Sequence, residues 1–528
     1  MLALSGVATV TNKANATIEG ATNGIQYGTT SSSGGQVTNT GRVSGLGASG
    51  VFLQNGGQVT NNVGGLIESQ AAATGTGDRN GITVLNSTGT VLNSGTIQSA
   101  YSSGVLLNAG GSVTNNATGS IVSTGLTDGL DPLQGQNGVT IRNGTTATNS
   151  VSNSGLIASN FLNGVQMSNG GSVTNNGASA EIRGRMDGVA MTGSGTITNT
   201  LGSIVGITGN GINASGGVTV ESSALIQGTM SSVQFGSGTN FLNLRSGSET
   251  IGSVKLGSGS DQATVYGGAN IAGVSHFDGG TGTNGFTFDN YSGEVQRISG
   301  SATLTKKGSS VTALIGINTY QGTTTVQGGT LLVSGDSSGV TGTATVNLGA
   351  ILGGRGTYGG SIQVQDGGTM GPGGTYAGGM TDIERLSVGG SVTFDSQSHL
   401  LIQISSLDLT GDLLKVGGNL NIGSSSILDL VDLASADRVI GDKLTLINYA
   451  GAWDGGTFNG LANGSTFQEG GNIWKITYDD TSGGSNFVPD QGYSNFVTIT
   501  IVPEPTVLVL GGLGVLMLGR RKRDSSYV

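Results

Sequence analysis

Acid–base chemistry on a sugar chain needs two carboxylates, or a carboxylate with Arg, Lys or His, projected onto one groove. The raw material here is thin: 31 Asp and Glu, 21 Lys and Arg, and two His, His276 and His399, over 528 residues. The densest local sets are Asp78-Arg79-Asn80, the pair Asp128 and Asp131 in "TDGLDP", and "EIRGRMD" at residues 181–187. No acidic pair recurs at a constant interval, so nothing delivers an acid and a base to successive turns of a repeat. Each set reads as a solvated loop. Arg183 and Arg185 alternate along their segment as a charged outer strand face would, an arrangement that an acidic sugar could also use.

Metal chemistry has one foothold. "LGSGSDQATVYGG" at residues 256–268 approximates a single copy of the calcium-binding nonapeptide GGxGxDxUx, in which carboxylates and backbone oxygens of stacked turns share a cation. Asp261 is its only acid, and in the following "GGTGTNGFTF" Asn284 stands where Asp is wanted. Two such positions supply too few ligands, so a plain turn is expected, with no metal and no cofactor. There is no Cys, hence no disulfide framework.

Positioning must therefore come from a chain that is 10% charged and 5% aromatic, with 101 Gly. Few large side chains and many small ones suit thin, stacked β structure, each rung burying a few Val, Ile or Leu. The net charge of -10 argues against nucleic acid, because counterion release needs clustered cations and the one cluster lies at the C-terminus. Self-similarity is plain: "GVFLQNGGQVTNN" (50–62), "GITVLNSTGTVLNSG" (81–95), "GVLLNAGGSVTNN" (104–116) and "GVQMSNGGSVTNN" (164–176), with degenerate copies at Gly24, Gly138, Gly188 and Gly211. Short alternating strands between Gly- and Asn-rich turns predict a parallel β-solenoid. Val37, Val59, Val113 and Val173 should stack inside and Thr114 should face out. Asn115 and Asn116 should turn the corner, where Asn tolerates left-handed backbone and can form ladders. Residues 1–231 form this Asn/Gly-rich array, and residues 232–297 continue it as degenerate Gly-rich coils. The longest insertions, "QAAATGTGDRN" and "TGLTDGLDPLQGQN", read as loops outside the coil.

Residues 298–375 carry a longer ordered string: Leu304, Thr305, Lys306 and Gly308, then Asn318, Thr319, Tyr320 and Gly322, then Thr325, Val326, Gly329, Thr330 and Leu331, closed by "GAILGGRGTYGG" and "GGTMGPG". This segment resembles the autotransporter-associated β-strand repeat, found in passenger domains of bacterial surface proteins. The resemblance implies a right-handed parallel β-helix and an exported location, and carries no chemistry. The chain departs from autotransporters in having no closing run of amphipathic strands long enough for an outer-membrane barrel. Residues 376–501 have bulkier texture and both Trp, Trp453 and Trp474, as expected of a β domain capping the open end of a solenoid.

The tail differs in kind. Residues 507–518 form a 12-residue apolar run, expected as a short transmembrane helix over about 506–519. Its helical length of roughly 18 Å falls short of the roughly 30 Å hydrocarbon core. Arg520, Arg521, Lys522 and Arg523 follow and would hold their side in the cytoplasm. Val502, Pro503, Glu504, Pro505 and Thr506, with this apolar run and the Arg cluster, resemble the PEP-CTERM sorting signal. That resemblance implies an exosortase as partner, at least transient contact with the inner membrane, and export in a Gram-negative bacterium that makes extracellular polysaccharide. The start "MLALSGVATV" lacks a basic region and an apolar core, so the true N-terminus and its signal peptide are expected upstream. The reading is an all-β, right-handed β-helical surface or matrix protein, an adhesin or a structural component of biofilm exopolysaccharide. The alternative is a β-helix polysaccharide lyase or hydrolase.

Overall fold

A computed structural model describes residues 2–4, 9–28, 34–71, 78–124, 136–146, 148–374, 382–486 and 493–504. Every regular element among them is a strand. Each turn of the chain lays one strand on each of three faces, as with Val105–Leu107, Gly111–Asn115 and Ser120–Ser123, and the next turn repeats this with Val139–Ile141, Ser150–Asn153 and Leu156–Ser159. The two turns pair in parallel and in register, Val105 with Val139, Val113 with Val151, and Ile121 with Ile157. A period of two then sends alternate side chains inward, where each meets the equivalent residue of the coil above. Val37, Val59, Val113 and Val173 are buried in one such column, which passes through Val91 and Val151.

Coil length varies while the register holds, apart from one shift in the third sheet where Glu249–Ile251 pairs with Asn270–Gly273. Val233 lies over Val254, 21 residues on, while Val105 lies over Val139, 34 residues on; the surplus leaves the coil at the corner between the third face and the next first face. Both long insertions of the sequence emerge at that corner. The second face is the longest, 18 parallel strands from Thr9–Asn12 to Leu420–Ile422. Strand pairs follow one another in an open line, and at about 4.8 Å per step they make a rod of about 80 Å.

The outer two faces change partway. The third sheet ends at Asn270–Gly273 and the first at Ile298–Ser299, and two new sheets begin at Gly293–Val295 and Asp336–Ser337 while the second face runs through. Parallel pairing stops near the C-terminal end. There Lys443–Tyr449, Asn495–Ile501, Asn472–Asp480 and Thr466–Glu469 pair antiparallel in turn. Trp474 is fully buried in this unit, and Trp453 stacks on Tyr478 at 5.4 Å and 9°. Aromatics add bulk here as they do midway along the rod, where Phe277 meets Phe286 and Phe288 edge to face. No helix among the described residues is long and apolar enough to cross a membrane, and the apolar run expected as a helix lies outside them.

Candidate functional site

Two polar ladders, one at each of two corners, decide what the acids and amides of this protein do. In the first, Asn12, Asn39, Asn61, Asn93, Asn115, Asn153, Asn175 and Asn199 stack inside the coil, each Nδ2 donating to the next Oδ1 at 2.8–2.9 Å. The same Nδ2 groups donate to backbone carbonyls of the turn, as Asn115 does to Gly119 and Leu156. Of the two corner asparagines expected to turn together, Asn115 is buried and Asn116 is exposed. The first must point inward because it continues the alternation of Val113. The ladder ends where Asn199 meets the Ser222 hydroxyl at 3.4 Å.

Sequence reading missed the second ladder. It is formed at the position preceding the repeat Gly-Val or Gly-Ile, by Asn23, Asn80, Asn137, Asn163 and Asp187, with Ser49, Ser103 and Asn210 at the same position in other coils. Each side-chain oxygen accepts the backbone N–H of the equivalent residue one coil on: Asn23 from Ser49, Asn80 from Ser103, Asn137 from Asn163, Asn163 from Asp187 and Asp187 from Asn210. The signal was present as a recurring Asn, Ser or Asp before the repeat glycine. That glycine has its own reason: a Cβ on Gly138 would sit 2.6 Å from the Gly164 carbonyl oxygen, and one on Gly164 2.7 Å from that of Gly188.

The candidate acids disperse into this scaffold. Asp187 also accepts Asn210 Nδ2 at 2.9 Å and Asn213 Nδ2 at 3.0 Å, so its carboxylate is held as a backbone cap. Glu181 and Arg183 pair with each other at 3.5 Å on the outer face, beside an exposed Arg185. Burial pushes the Asp78 carboxyl up, against the pull of Arg142. Arg79 is buried with its guanidinium 6.0 Å from the Tyr101 ring centroid. Asp128 and Asp131 lie outside the described residues. His276 Nε2 meets the Ser299 hydroxyl at 2.7 Å, and burial lowers its affinity for a proton. His399 Nδ1 lies 2.7 Å from Asp429 Oδ2 on the adjacent parallel strand of its own sheet.

Asp261 is fully buried rather than in an open turn. Its Oδ1 accepts the backbone and side-chain N–H of Asn240, both at 2.8 Å, its Oδ2 accepts Gly257 N–H at 3.0 Å, and its own N–H goes to Asn284 Oδ1 at 2.7 Å. With N–H donors on both oxygens, the carboxylate is directed at the chain. Among the described residues no three of His, Asp and Glu converge as metal ligands.

Residues of the 298–375 string are structural in the same sense. Asn318 and Tyr320 are fully buried, Tyr320 and Tyr358 both bonding the Thr324 hydroxyl, at 2.7 and 3.2 Å. Lys306 takes an inward position between Phe288 and Val326, where its ammonium reaches the Lys307 carbonyl at 2.6 Å and burial pushes its pKa down to about 8. Of the tail signal, Val502 bonds the Ile473 carbonyl through its N–H at 2.9 Å, and Pro503 and Glu504 are exposed. Pro505, Thr506, Arg520, Arg521, Lys522 and Arg523 lie outside the described residues.

One cavity gathers side chains of varied chemistry on the third face. It has a volume of about 440 Å³ and is lined by Glu68, Gln70, Gln98, Tyr101 and Thr124 together with the turn Ser99–Ala100. Glu68 Oε1 receives Arg42 Nε and Nη2, both at 2.7 Å, and Gln70 Nε2 at 3.1 Å; Oε2 receives Gln98 Nε2 at 2.9 Å.

Stacked parallel registers define the chain as a member of the parallel β-helix class. No family model matches it. A stretch of 71 residues is 48% identical to the Adhesin BmaC autotransporter of Brucella suis biovar 1 (strain 1330), spanning 13% of this chain and 2% of that protein. Among solved structures, the Haemophilus influenzae Hap adhesin aligns over 94% of this chain and 64% of its own, at a TM-score of 0.37 and 11% identity. The parallel β-helix is defined by this chain's own strand registers.

Proposed function

We propose that this chain is an exported, non-catalytic adhesin-like protein of the Gram-negative cell surface or extracellular matrix, a spacer and attachment rod within biofilm or exopolysaccharide. The observation that carries the reading is the 48% identity to a stretch of an adhesin autotransporter, in a chain whose strands stack as a continuous rod. A right-handed winding belongs to the reading, because a strand that returns to the same sheet in parallel does so almost always by a right-handed path.

Delivery would use the tail. Pro503 lacks an amide donor and ends the pairing after Val502, so that the exposed Pro503 and Glu504 and the residues after them would be presented to an exosortase outside the inner membrane. The apolar run at 507–518 would hold the precursor there in one orientation, with Arg520 to Arg523 on the cytoplasmic side.

Expression with a supplied signal peptide, in an exosortase-bearing host that forms biofilm, tests both parts. The expected results are mature protein shortened by its C-terminal sorting segment in mass spectra and more cell-to-cell retention than in a strain without the gene. Intact Val528 on surface-exposed protein, equally with and without exosortase, would reduce the tail to an ordinary anchor. Release of unsaturated or reducing ends from pectate or alginate, lost on Asp128→Ala or Asp131→Ala, would establish the lyase or hydrolase instead.

A further inference from the structure

We propose that the third-face cavity beside Tyr101 is a binding site for a neutral saccharide, an inference that rests on the adhesin-like reading above and names its ligand class. Glu68 belongs to the outward row of its sheet, where it stands in register with Gln98 of the next coil and Ser44 of the one before. Outward carboxylates are ordinarily solvated, yet this one is 4% exposed. Arg42 of the preceding coil neutralises it through two contacts on one oxygen, and Gln70 and Gln98 donate their amide N–H groups to it.

Three consecutive coils are thus committed to fixing the orientation of two amides. With Nε2 of Gln70 and of Gln98 turned toward Glu68, the amide oxygens are the atoms these residues present to a ligand. Thr124, whose hydroxyl donates to the Ser99 carbonyl at 3.1 Å, keeps lone pairs for the same purpose. The set is rich in fixed acceptors, and its one cation, Arg42, is held by Glu68 at 2.7 Å and reached by Glu19 at 3.8 Å, so no positive charge is left for an anion. That suits hydroxyl donors and disfavours a carboxylate or sulfate, which would face acceptors at close range.

Tyr101 completes the site. Its ring lines the cavity while the buried Arg79 guanidinium lies over it, 6.0 Å from the centroid. The cavity's 440 Å³ falls within the range of small-ligand pockets, and its lining, one aromatic residue among polar ones, is more polar than most such pockets, as a ligand rich in hydroxyls requires. A sugar's axial C–H face can lie on the ring while its equatorial hydroxyls meet the amide oxygens. Among the described residues Tyr101 is the aromatic side chain that joins this polar set.

Saturation-transfer-difference NMR on the full chain tests this, with lactose, cellobiose and maltose as neutral probes and digalacturonate as the acidic comparison. Transfer to the C–H groups of at least one neutral disaccharide is expected, weakened about tenfold or more in Tyr101→Ala, the scale of losing an aromatic anchor. Tyr101→Phe should retain it, and Gln98→Ala should weaken it while leaving circular dichroism unchanged. No neutral disaccharide bound, equal binding by Tyr101→Ala, or digalacturonate bound as well as the neutral sugars would each overturn the site. Biofilm retention by intact cells separates the two readings. Retention unaffected by Tyr101→Ala, in protein that binds no disaccharide, removes the site and keeps the adhesin. Disaccharide binding lost in Tyr101→Ala, with no retention by the wild-type strain, keeps the site and removes the adhesin.

Discussion

Asn115 and Asn116 are adjacent and chemically identical, and their energetic roles are opposite. Asn115→Ala removes the acceptor of Asn93 and the donor to Asn153 within the buried ladder, along with bonds to two turn carbonyls. Leaving buried polar groups unpaired costs about 1–3 kcal/mol each, so local stability around coils 93–153 should fall by several kcal/mol, read as lost amide protection in hydrogen exchange. Asn116→Ala gives up an exposed bond to Ser94 and should change stability by less than about 0.5 kcal/mol. Asp412 offers a pH-dependent case. It is fully buried, accepts the N–H groups of Glu384 and Gln403, and desolvation pushes its pKa up to about 7, with Glu384 nearby adding to the shift. A folded pKa above the unfolded one means stability present at pH below about 4 and lost as pH rises through about 7. Thermal unfolding of the coils around Asp412 should therefore move to lower temperature over that window and level off above it, a slope that Asp412→Asn should flatten. An unchanged slope in the variant would place the titration elsewhere.

Strands of three to five residues have little stability alone; their register comes from stacking on both neighbours. The glycine column that opens each first-face strand sets how closely coils approach. Gly138→Ala places a methyl 2.6 Å from the Gly164 carbonyl oxygen, and backbone rather than a flexible side chain has to give way. The expected outcome is loss of protection in Val139–Ile141 and its partner Val165–Met167, with distant coils unaffected, because each coil contacts only its neighbours. Gly64→Ala makes a useful contrast. A Cβ there meets nothing within 4 Å, but φ is +80°, so its cost, about 1 kcal/mol, is purely conformational.

At the scale of the molecule, a solenoid has ends that a globular domain lacks. The antiparallel unit that begins at Lys443–Tyr449 closes one of them: the loop after that strand pairs with Leu420–Ile422, Leu420 donating its N–H to the Ala452 carbonyl and bridging Trp453, while the neighbouring strand Ile427–Asp432 stays half-buried. Deleting residues 443–501 should expose those strands and produce concentration-dependent association in sedimentation velocity, whereas the full chain should not gain mass over the same range. Small-angle scattering should report a rod of about 80 Å for the solenoid, and denaturant unfolding should be broad and probe-dependent rather than a single cooperative step.

Alternation and repeat spacing in the sequence were enough to determine a parallel coil with Val37, Val59, Val113 and Val173 inside, since period two leaves one inward face and small repeats can bury it only by stacking. The bulk around Trp453 and Trp474 set the last segment apart, and there the strands turn from parallel to antiparallel pairing. What the sequence left open were roles that depend on which coil lies next to which. "EIRGRMDG" and "GSGSDQATV" look like chemistry along the chain; Asp187 and Asp261 turn out to cap backbone N–H groups of neighbouring coils, partners 21 to 23 residues away whose distance varies with each loop. Lys306 in an apolar column, and Glu68 with Gln98 around one cavity, follow the same rule. Their neighbours are fixed by register between coils, and only the folded stack brings those residues together.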